Sequence, residues 1–166
     1  MISNTSLLAA LLLLLLAQST LAFVPFLPRS FSAPALAAEP RADFEFSFEV
    51  PKKGIADIGT ANVKLPPLLP KSEIIVVRYE LPFGLSAEPS AAMNGEVVVT
   101  KDGAPGKEVV GDILRQTTIW GGRGGKEPGI FDVSKNKSNF DRVVAALVTN
   151  DLAVADEIVL IFERPL

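Results

Sequence analysis

Leu81-Pro82-Phe83-Gly84-Leu85 is the stretch around which the rest of this sequence can be interpreted. It connects the apolar run Ile74–Val77 to a later predicted strand, Glu96–Thr100, and places a glycine between two large apolar side chains. Glycine permits backbone dihedrals that other residues resist, so a turn of this kind can present consecutive backbone N–H groups. Such a row of N–H groups predicts a cradle for an anion, and the carboxylate at the end of a peptide fits it.

The elements around this turn are predicted from their apolar periodicity. β-Branched runs and alternation predict strands, and apolar residues spaced three and four apart predict a helix. The predicted strands are Glu73–Glu80, a short strand within Ser86–Asn94, Glu96–Thr100, Ile113–Gln116, a small edge strand Ile130–Val133 and Ile158–Glu163, and the predicted helix is Phe140–Leu147. The last strand is apolar on both faces, which is typical of a central position. This order predicts an α+β or mainly β fold, a partly open small β-barrel of five to six strands capped by one main helix.

The predicted helix has its own start and stop signals. Ser138 or Asn139 is a suitable N-cap, because a side-chain oxygen there accepts a bond from the first helical N–H groups. Asp141 in the first turn complements the helix dipole, and Asn150 is a natural stop. These signals predict one well-defined helix between the glycine-rich region and the final strand.

Several pieces of this region match one protein family in the same order. They are Phe83-Gly84-Leu85, Gly95–Val99, the Gly-Asp pair within Val110–Leu114, the helix Phe140–Leu147 and the strand Ile158–Glu163. From roughly Ile74 to Pro165, the sequence therefore resembles a PDZ domain, a module that binds the C-termini of other proteins. Pro82 departs from the family pattern, since a glycine often stands there and proline has no N–H to donate.

The resemblance implies a peptide-binding groove between the loop and the helix. Its peptide-binding residues would be Pro82, Phe83, Gly84, Leu85, Ser86, Ala87, Phe140, Val144 and Leu147. The loop N–H groups would receive the carboxylate, and the peptide would add a strand beside Leu85–Ala87. Phe140 stands where the family reads the third side chain from the end, which implies an apolar preference. Two alternatives stay open: the loop is a plain turn with its apolar side chains in the core, and Phe140 simply covers the helix end.

Residues 39–72 are predicted as an extension that precedes the PDZ-like domain, residues 73–166. Phe44–Val50 alternates apolar and polar residues and predicts one strand, which must pack against the domain or a partner because a lone strand buries nothing. The glycines and prolines after it predict an extended linker. Within the domain, Ser86–Asn94 predicts a short strand followed by a mobile loop, and Gly121–Gly129 predicts a flexible insertion.

The first 38 residues are predicted to be targeting segments. Leu7–Ala17 has the length of a signal-peptide h-region and is too short to span a bilayer, so residues 1–22 are predicted as a signal peptide. Residues 23–38 contain serines, prolines and one arginine but no acid, which resembles a plastid transit peptide. This two-part sequence resembles that of algae with secondary plastids. It predicts a plastid protein of the stroma or thylakoid lumen, and a secreted protein is the alternative.

The composition excludes several classes of chemistry. The sequence contains no histidine and no cysteine, so histidine-based triads, thiol catalysis, disulfides and His- or Cys-ligated zinc are excluded. With 16 basic residues, 19 acidic residues and no basic patch, the chain is not expected to bind nucleic acid. No cofactor, no metal and no membrane span after signal cleavage are expected.

These observations predict a non-catalytic protein-interaction module rather than an enzyme. Its partner would be the C-terminal peptide or a strand of another protein associated with the thylakoid membrane. Its role would be that of a scaffold or assembly factor. The alternative is a small structural subunit of a photosynthetic membrane complex whose groove is filled by its own chain, with Phe44–Val50 as the occupant.

Overall fold

The computed structural model describes residues 41–51, 59–122 and 125–166. Within these ranges the strands are β1 (Phe44–Glu49), β2 (Thr60–Leu65), β3 (Ser72–Glu80), β4 (Ala87–Ser90), β5 (Glu96–Val99), β6 (Ile113–Gly121), β7 (Glu127–Asp132) and β8 (Glu157–Pro165). The helices are α1 (Val133–Asn136) and α2 (Phe140–Val148), and a 3₁₀ turn covers Ala91–Met93. The signal and transit segments predicted over residues 1–38 lie outside the described residues.

Six strands form one antiparallel sheet in the order β3-β8-β6-β5-β4, with β7 paired to β6. The prediction of a mainly β fold with few helices is confirmed. β3 and β4 lie at opposite ends of the strand order, and the sheet is not closed into a barrel. The predicted central position of the last strand is also confirmed, because β8 pairs with β3 on one side and with β6 on the other.

The core lies on both faces of β8. One face belongs to a cluster with Val143 of α2, and its β8 members are Ile158, Leu160 and Phe162. The other face belongs to a cluster with the β1–β2 hairpin, whose buried members are Phe48, Val63, Leu65, Val159 and Ile161. Fully burying one such side chain stabilises a fold by about 1.5–3 kcal/mol relative to leaving it exposed. The helix and the hairpin therefore stabilise the same central strand from opposite sides.

The segment predicted as a one-strand extension forms a hairpin instead. β1 and β2 pair antiparallel over their whole length, from Phe44↔Leu65 to Glu49↔Thr60. The second strand has a sequence signal that the neighbouring glycines and prolines obscure: Ala61, Val63 and Leu65 alternate with polar residues. No boundary separates residue 72 from residue 73, since the described residues belong to one compact unit.

A buried ion pair holds residues 66–70, the last part of the predicted linker, against the sheet. Glu163 is fully buried and pairs with Arg115, which is 3% exposed. The Glu163 carboxylate also accepts bonds from two backbone N–H groups of the segment at 3.0 Å, and from the Ser72 hydroxyl at 2.6 Å. Arg115 in turn donates to Ser134 Oγ at 3.1 Å and to a carbonyl of the segment at 2.9 Å. The segment is therefore a fixed part of the fold.

Two segments with predicted loops contain regular structure. Ser86–Asn94 contains the predicted short strand as β4, which passes through Pro89, and a 3₁₀ turn follows it where a loop is predicted. Proline is compatible with a strand at the edge of a sheet, where its missing N–H breaks no ladder bond. The predicted insertion Gly121–Gly129 is largely the end of the β6–β7 hairpin, whose pairing continues to Gly121↔Glu127; residues 123 and 124 lie outside the described ranges.

Candidate functional site

A groove of about 180 Å³ separates the chain around β4 from one face of α2. Its lining is apolar: Phe83, Leu85, Ala87, Val97, Leu114, Phe140, Val144 and Leu147. All of these except Val97 and Leu114 are among the predicted peptide-binding residues. Those two are buried residues of β5 and β6, and only the strand order could have assigned them to the groove. The structure therefore brings residues from two distant parts of the sequence to one apolar site.

The other predicted site residues lie beside this lining. Pro82 lines an adjoining compartment, while Gly84 and Ser86 are exposed. An extended chain places successive side chains on opposite sides, so alternate residues face α2 and solvent. Phe83 and Leu85 are half-buried and pack against the core while they line the groove. Phe83 and Leu85 therefore pack against the core, as the plain-turn alternative predicts, and they line the groove as well.

β4 is the last strand of the sheet, and its outer edge faces no other strand among the described residues. The Thr100 N–H donates to the Ser86 carbonyl at 2.8 Å, so Ser86 and then Glu88 direct their backbone groups toward β5. By the same alternation, Ala87 and Pro89 direct their backbone groups to the open edge of the sheet. Ala87 has an N–H to offer there, and Pro89 does not. The edge can therefore pair with a short extended segment.

One face of α2 forms the opposite wall of the groove. Phe140, Val144 and Leu147 lie three or four residues apart and line it together. Val143 and Ala146, on the adjacent face, are buried against the sheet. Phe140 also packs against the core cluster, so it covers the start of the helix and lines the groove at once.

The C-terminal end of α2 is attached to β6 through Asn150. Asn150 is 6% exposed, and its Nδ2 donates to the Thr118 carbonyl at 2.7 Å and to the Leu147 carbonyl at 3.1 Å. The Thr118 hydroxyl donates to Asn150 Oδ1 at 2.9 Å. At the other end, Asn139 is the N-cap, as predicted, and accepts a bond from the Arg142 N–H at 3.2 Å. These contacts fix the wall of the groove.

We expect Asn150→Ala to lower the free energy of unfolding by about 1–3 kcal/mol, because it leaves buried polar groups of Thr118 without their partner. Chemical denaturation monitored by the fluorescence of Trp120 measures this loss. The matched control is Asn139→Ala at the exposed end of the same helix, which removes only an N-cap bond. An equal or larger loss in the control would contradict this role of Asn150.

The groove opens into a larger compartment of about 460 Å³ beyond the end of α2. Its lining residues are Leu81, Pro82, Phe83, Val144, Leu147, Val148, Asn150, Asp151 and Leu152. Three of its apolar side chains are considerably exposed: Val144 by 41%, Leu152 by 48% and Val148 by 70%. Contiguous exposed apolar surface of this kind marks interaction sites in soluble proteins. Val148 and Leu152 are not among the predicted peptide-binding residues.

Gly84 does not adopt the conformation on which the predicted anion cradle depends. Its φ lies outside the left-handed region, and a Cβ placed on it would meet no atom within 4 Å. Among the described residues, no acceptor contacts the backbone N–H groups of Phe83, Gly84 or Leu85. The loop thus has N–H groups that a ligand can use, without the turn geometry that would converge them on one anion.

Tyr79 packs behind the loop and is the only tyrosine of the chain. Its ring stacks on Phe83 with the centroids 6.4 Å apart, and its hydroxyl donates to the buried Glu108 carboxylate at 2.8 and 2.9 Å. The Lys107 ammonium lies 4.2 Å from the ring centroid. Burial, and then the bond to Glu108 and its charge, raise the pKa of Tyr79, while a backbone contact lowers it less.

We expect the absorbance of tyrosinate to appear at higher pH in the folded protein than in urea, where the Tyr79 pKa returns to its ordinary value of 10.0. Because folding raises this pKa, the linked stability is fully present below the unfolded pKa and is lost as pH rises through the folded one. Glu108→Gln should move the folded midpoint toward the ordinary value. A folded midpoint at or below that in urea would contradict the contact.

Comparison with models of protein families, with curated proteins and with solved structures finds no match for this chain. In the part of the chain that the structure describes, no helix is long and apolar enough to cross a membrane. In the same residues, no group of three or more acidic side chains could hold a metal ion. The candidate site is therefore defined by its own geometry: an open strand edge, an apolar helix face and the compartment between them.

Proposed function

We propose that this chain is a non-catalytic protein-interaction module of the PDZ type. It binds an apolar extended segment of a partner protein, from a C-terminus or from within a chain, between β4 and α2. The observation that carries this proposal is the open edge of β4 beside the apolar face of α2. The bound segment adds a strand to the sheet through backbone bonds, and its side chains enter the groove.

The energetics favour a short apolar segment. Each Å² of apolar ligand surface that the groove covers stabilises the complex by about 25 cal/mol. The groove and its adjoining compartment offer apolar side chains and few polar ones, so a buried hydroxyl would lack a partner at a cost of roughly 1–3 kcal/mol. Pro89 ends the row of outward N–H groups, and this limits the paired part of the ligand to the few residues beside Leu85–Ala87.

The proposed setting follows from the targeting sequence. Residues 1–38 predict delivery to a plastid, and the partner would be a protein of the thylakoid membrane that this module helps to assemble or hold. The alternative is a structural subunit whose groove is filled by its own chain. Phe44–Val50, the candidate for that occupant, instead pairs as β1 with β2 and packs against Val159 and Ile161, on the face opposite α2.

A displayed library of apolar segments, each offered both as a free C-terminus and within a chain, tests the proposal. We expect enriched segments with apolar residues at alternate positions, because only alternate side chains of a bound strand face the groove. Amide NMR shifts on binding should concentrate at Leu85 and Ala87 rather than on β3. If no segment is enriched, this proposal fails.

A further inference from the structure

Two further spaces adjoin the groove beyond the loop Pro82–Leu85, and their lining residues bear on which peptide segment the groove binds. The groove shares Phe83, Val144 and Leu147 with the apolar compartment. That compartment shares Leu81 and Leu152 with a third basin of about 550 Å³. The three spaces therefore adjoin one another, from the β4–α2 groove, past the loop, to the basin.

The third basin, which we call the acidic basin, is lined by Glu49, Val50, Pro51, Arg78, Glu80, Leu81, Leu152, Asp156 and Glu157. Four of these side chains are carboxylates, and one is a guanidinium. Arg78 is already engaged, since it pairs with Glu157 at 3.2 Å and donates to the Glu49 carbonyl at 2.7 Å. Among the described residues, no ion pair involves the carboxylates of Glu49, Glu80 or Asp156.

A terminal carboxylate fits this end of the groove poorly. Asp151 lines the apolar compartment, and the acidic basin lies directly beyond it. Like charges at short range repel, and among the residues that the structure describes the lining offers no basic side chain besides the paired Arg78. Gly84 lacks the left-handed conformation of an anion-binding turn. A ligand that continued past the loop and carried positive charge would meet complementary charge instead.

Resting on the proposed function, we infer that the bound segment is internal, and that a basic residue follows its apolar residues and enters the acidic basin. In an antiparallel pairing with β4, the kind of pairing that joins all strands of this sheet, the ligand runs from Pro89 toward Phe83. Its apolar side chains fill the groove first. The lysine or arginine therefore lies on the C-terminal side of the apolar residues, beyond the compartment that Val148 and Leu152 wall.

The test uses the best apolar segment from the library, synthesised in four forms. One ends at the last apolar residue with a free carboxylate, and the other three are amidated and continue with Lys-Ala-Lys, Ala-Ala-Ala or Glu-Ala-Glu. At low salt, we expect the lysine form to bind at least tenfold more tightly than the glutamate form. The difference should shrink as salt screens the charges. The carboxylate form should bind no better than the alanine form.

The double variant Glu80→Gln, Asp156→Asn should reduce the preference for lysine over glutamate at least threefold. The control Glu88→Gln, an exposed residue of β4 outside all three spaces, should leave it unchanged. Tightest binding of the free-carboxylate form, or equal binding of the lysine and glutamate forms, would overturn this inference and leave the proposed function standing. If the library yields no segment, the proposed function itself fails.

Discussion

Replacing Arg115 by methionine is expected to lower the free energy of unfolding by about 3–5 kcal/mol. The substitution leaves the Glu163 carboxylate fully buried and without its only countercharge among the described residues. A buried charge without a partner is far more costly than a broken pair at the surface, because water no longer solvates it. The loss should also loosen Pro66–Pro70, whose backbone N–H groups bind the same carboxylate. Denaturant unfolding with linear extrapolation measures the effect.

Two control variants separate the charge from the loss of packing. Adding Glu163→Gln to Arg115→Met removes the stranded charge but keeps an acceptor for the Ser72 hydroxyl, so the double variant should recover about half of the loss or more. Lys64→Met breaks an exposed pair with Glu45 on the hairpin and should leave stability nearly unchanged. An Arg115→Met protein within about 1 kcal/mol of the parent would show that this ion pair does not hold the fold together.

Val144→Asp should weaken binding of the best apolar segment by about 30- to 100-fold, which corresponds to roughly 2–3 kcal/mol. Val144 lines both the groove and the compartment, and its 41% exposure means that the free protein tolerates a charge there. In the complex, the carboxylate would lose water without gaining a partner. Isothermal titration calorimetry with the segment measures the change.

Ala145→Asp is the matched control, because it places the same charge at the next position of α2, on an exposed residue outside the groove. Its affinity should stay within about twofold of the parent, since an exposed charge away from the contact alters binding little. If both variants lose affinity equally, the ligand does not lie between β4 and α2. If neither does, the groove is not the binding site.

The regular elements of this fold could largely be predicted, because their side-chain periodicity is strong. Phe44–Val50 and Ile158–Glu163 are strands close to the expected bounds, and the helix begins directly after Asn139, one of its two predicted caps. Sequence alone does not reveal β2, because the glycines and prolines on both sides of it predict a linker, although Val63 and Leu65 alternate with polar residues. Pro89 favours a short strand followed by a loop, and it lies within the short strand β4 at the edge of the sheet, where no ladder bond needs its N–H.

The periodicity of a strand or helix does not show which other element covers its apolar face. The sequence of β8 indicates burial on both faces, but nothing local indicates that the β1–β2 hairpin covers one of them. The sequence around Leu68 predicts a linker, but the Leu68 N–H donates a hydrogen bond to the carboxylate of Glu163, which is 95 residues away. Such contacts join segments that are distant in sequence, and a local pattern contains no record of the partner.

The candidate site, too, depends partly on local sequence and partly on the tertiary structure. The resemblance of the sequence to a PDZ domain suggested Phe83, Leu85 and Val144 as candidate binding residues, and alternation and helical spacing are consistent with apolar faces at these positions. Only the tertiary structure decided that β4 lies at the open end of the sheet and that the groove continues into the acidic basin. Strand order and adjoining spaces result from packing between distant segments. The spacing of residues along one segment indicates which side chains are buried or exposed, but it does not indicate which other segment those side chains contact.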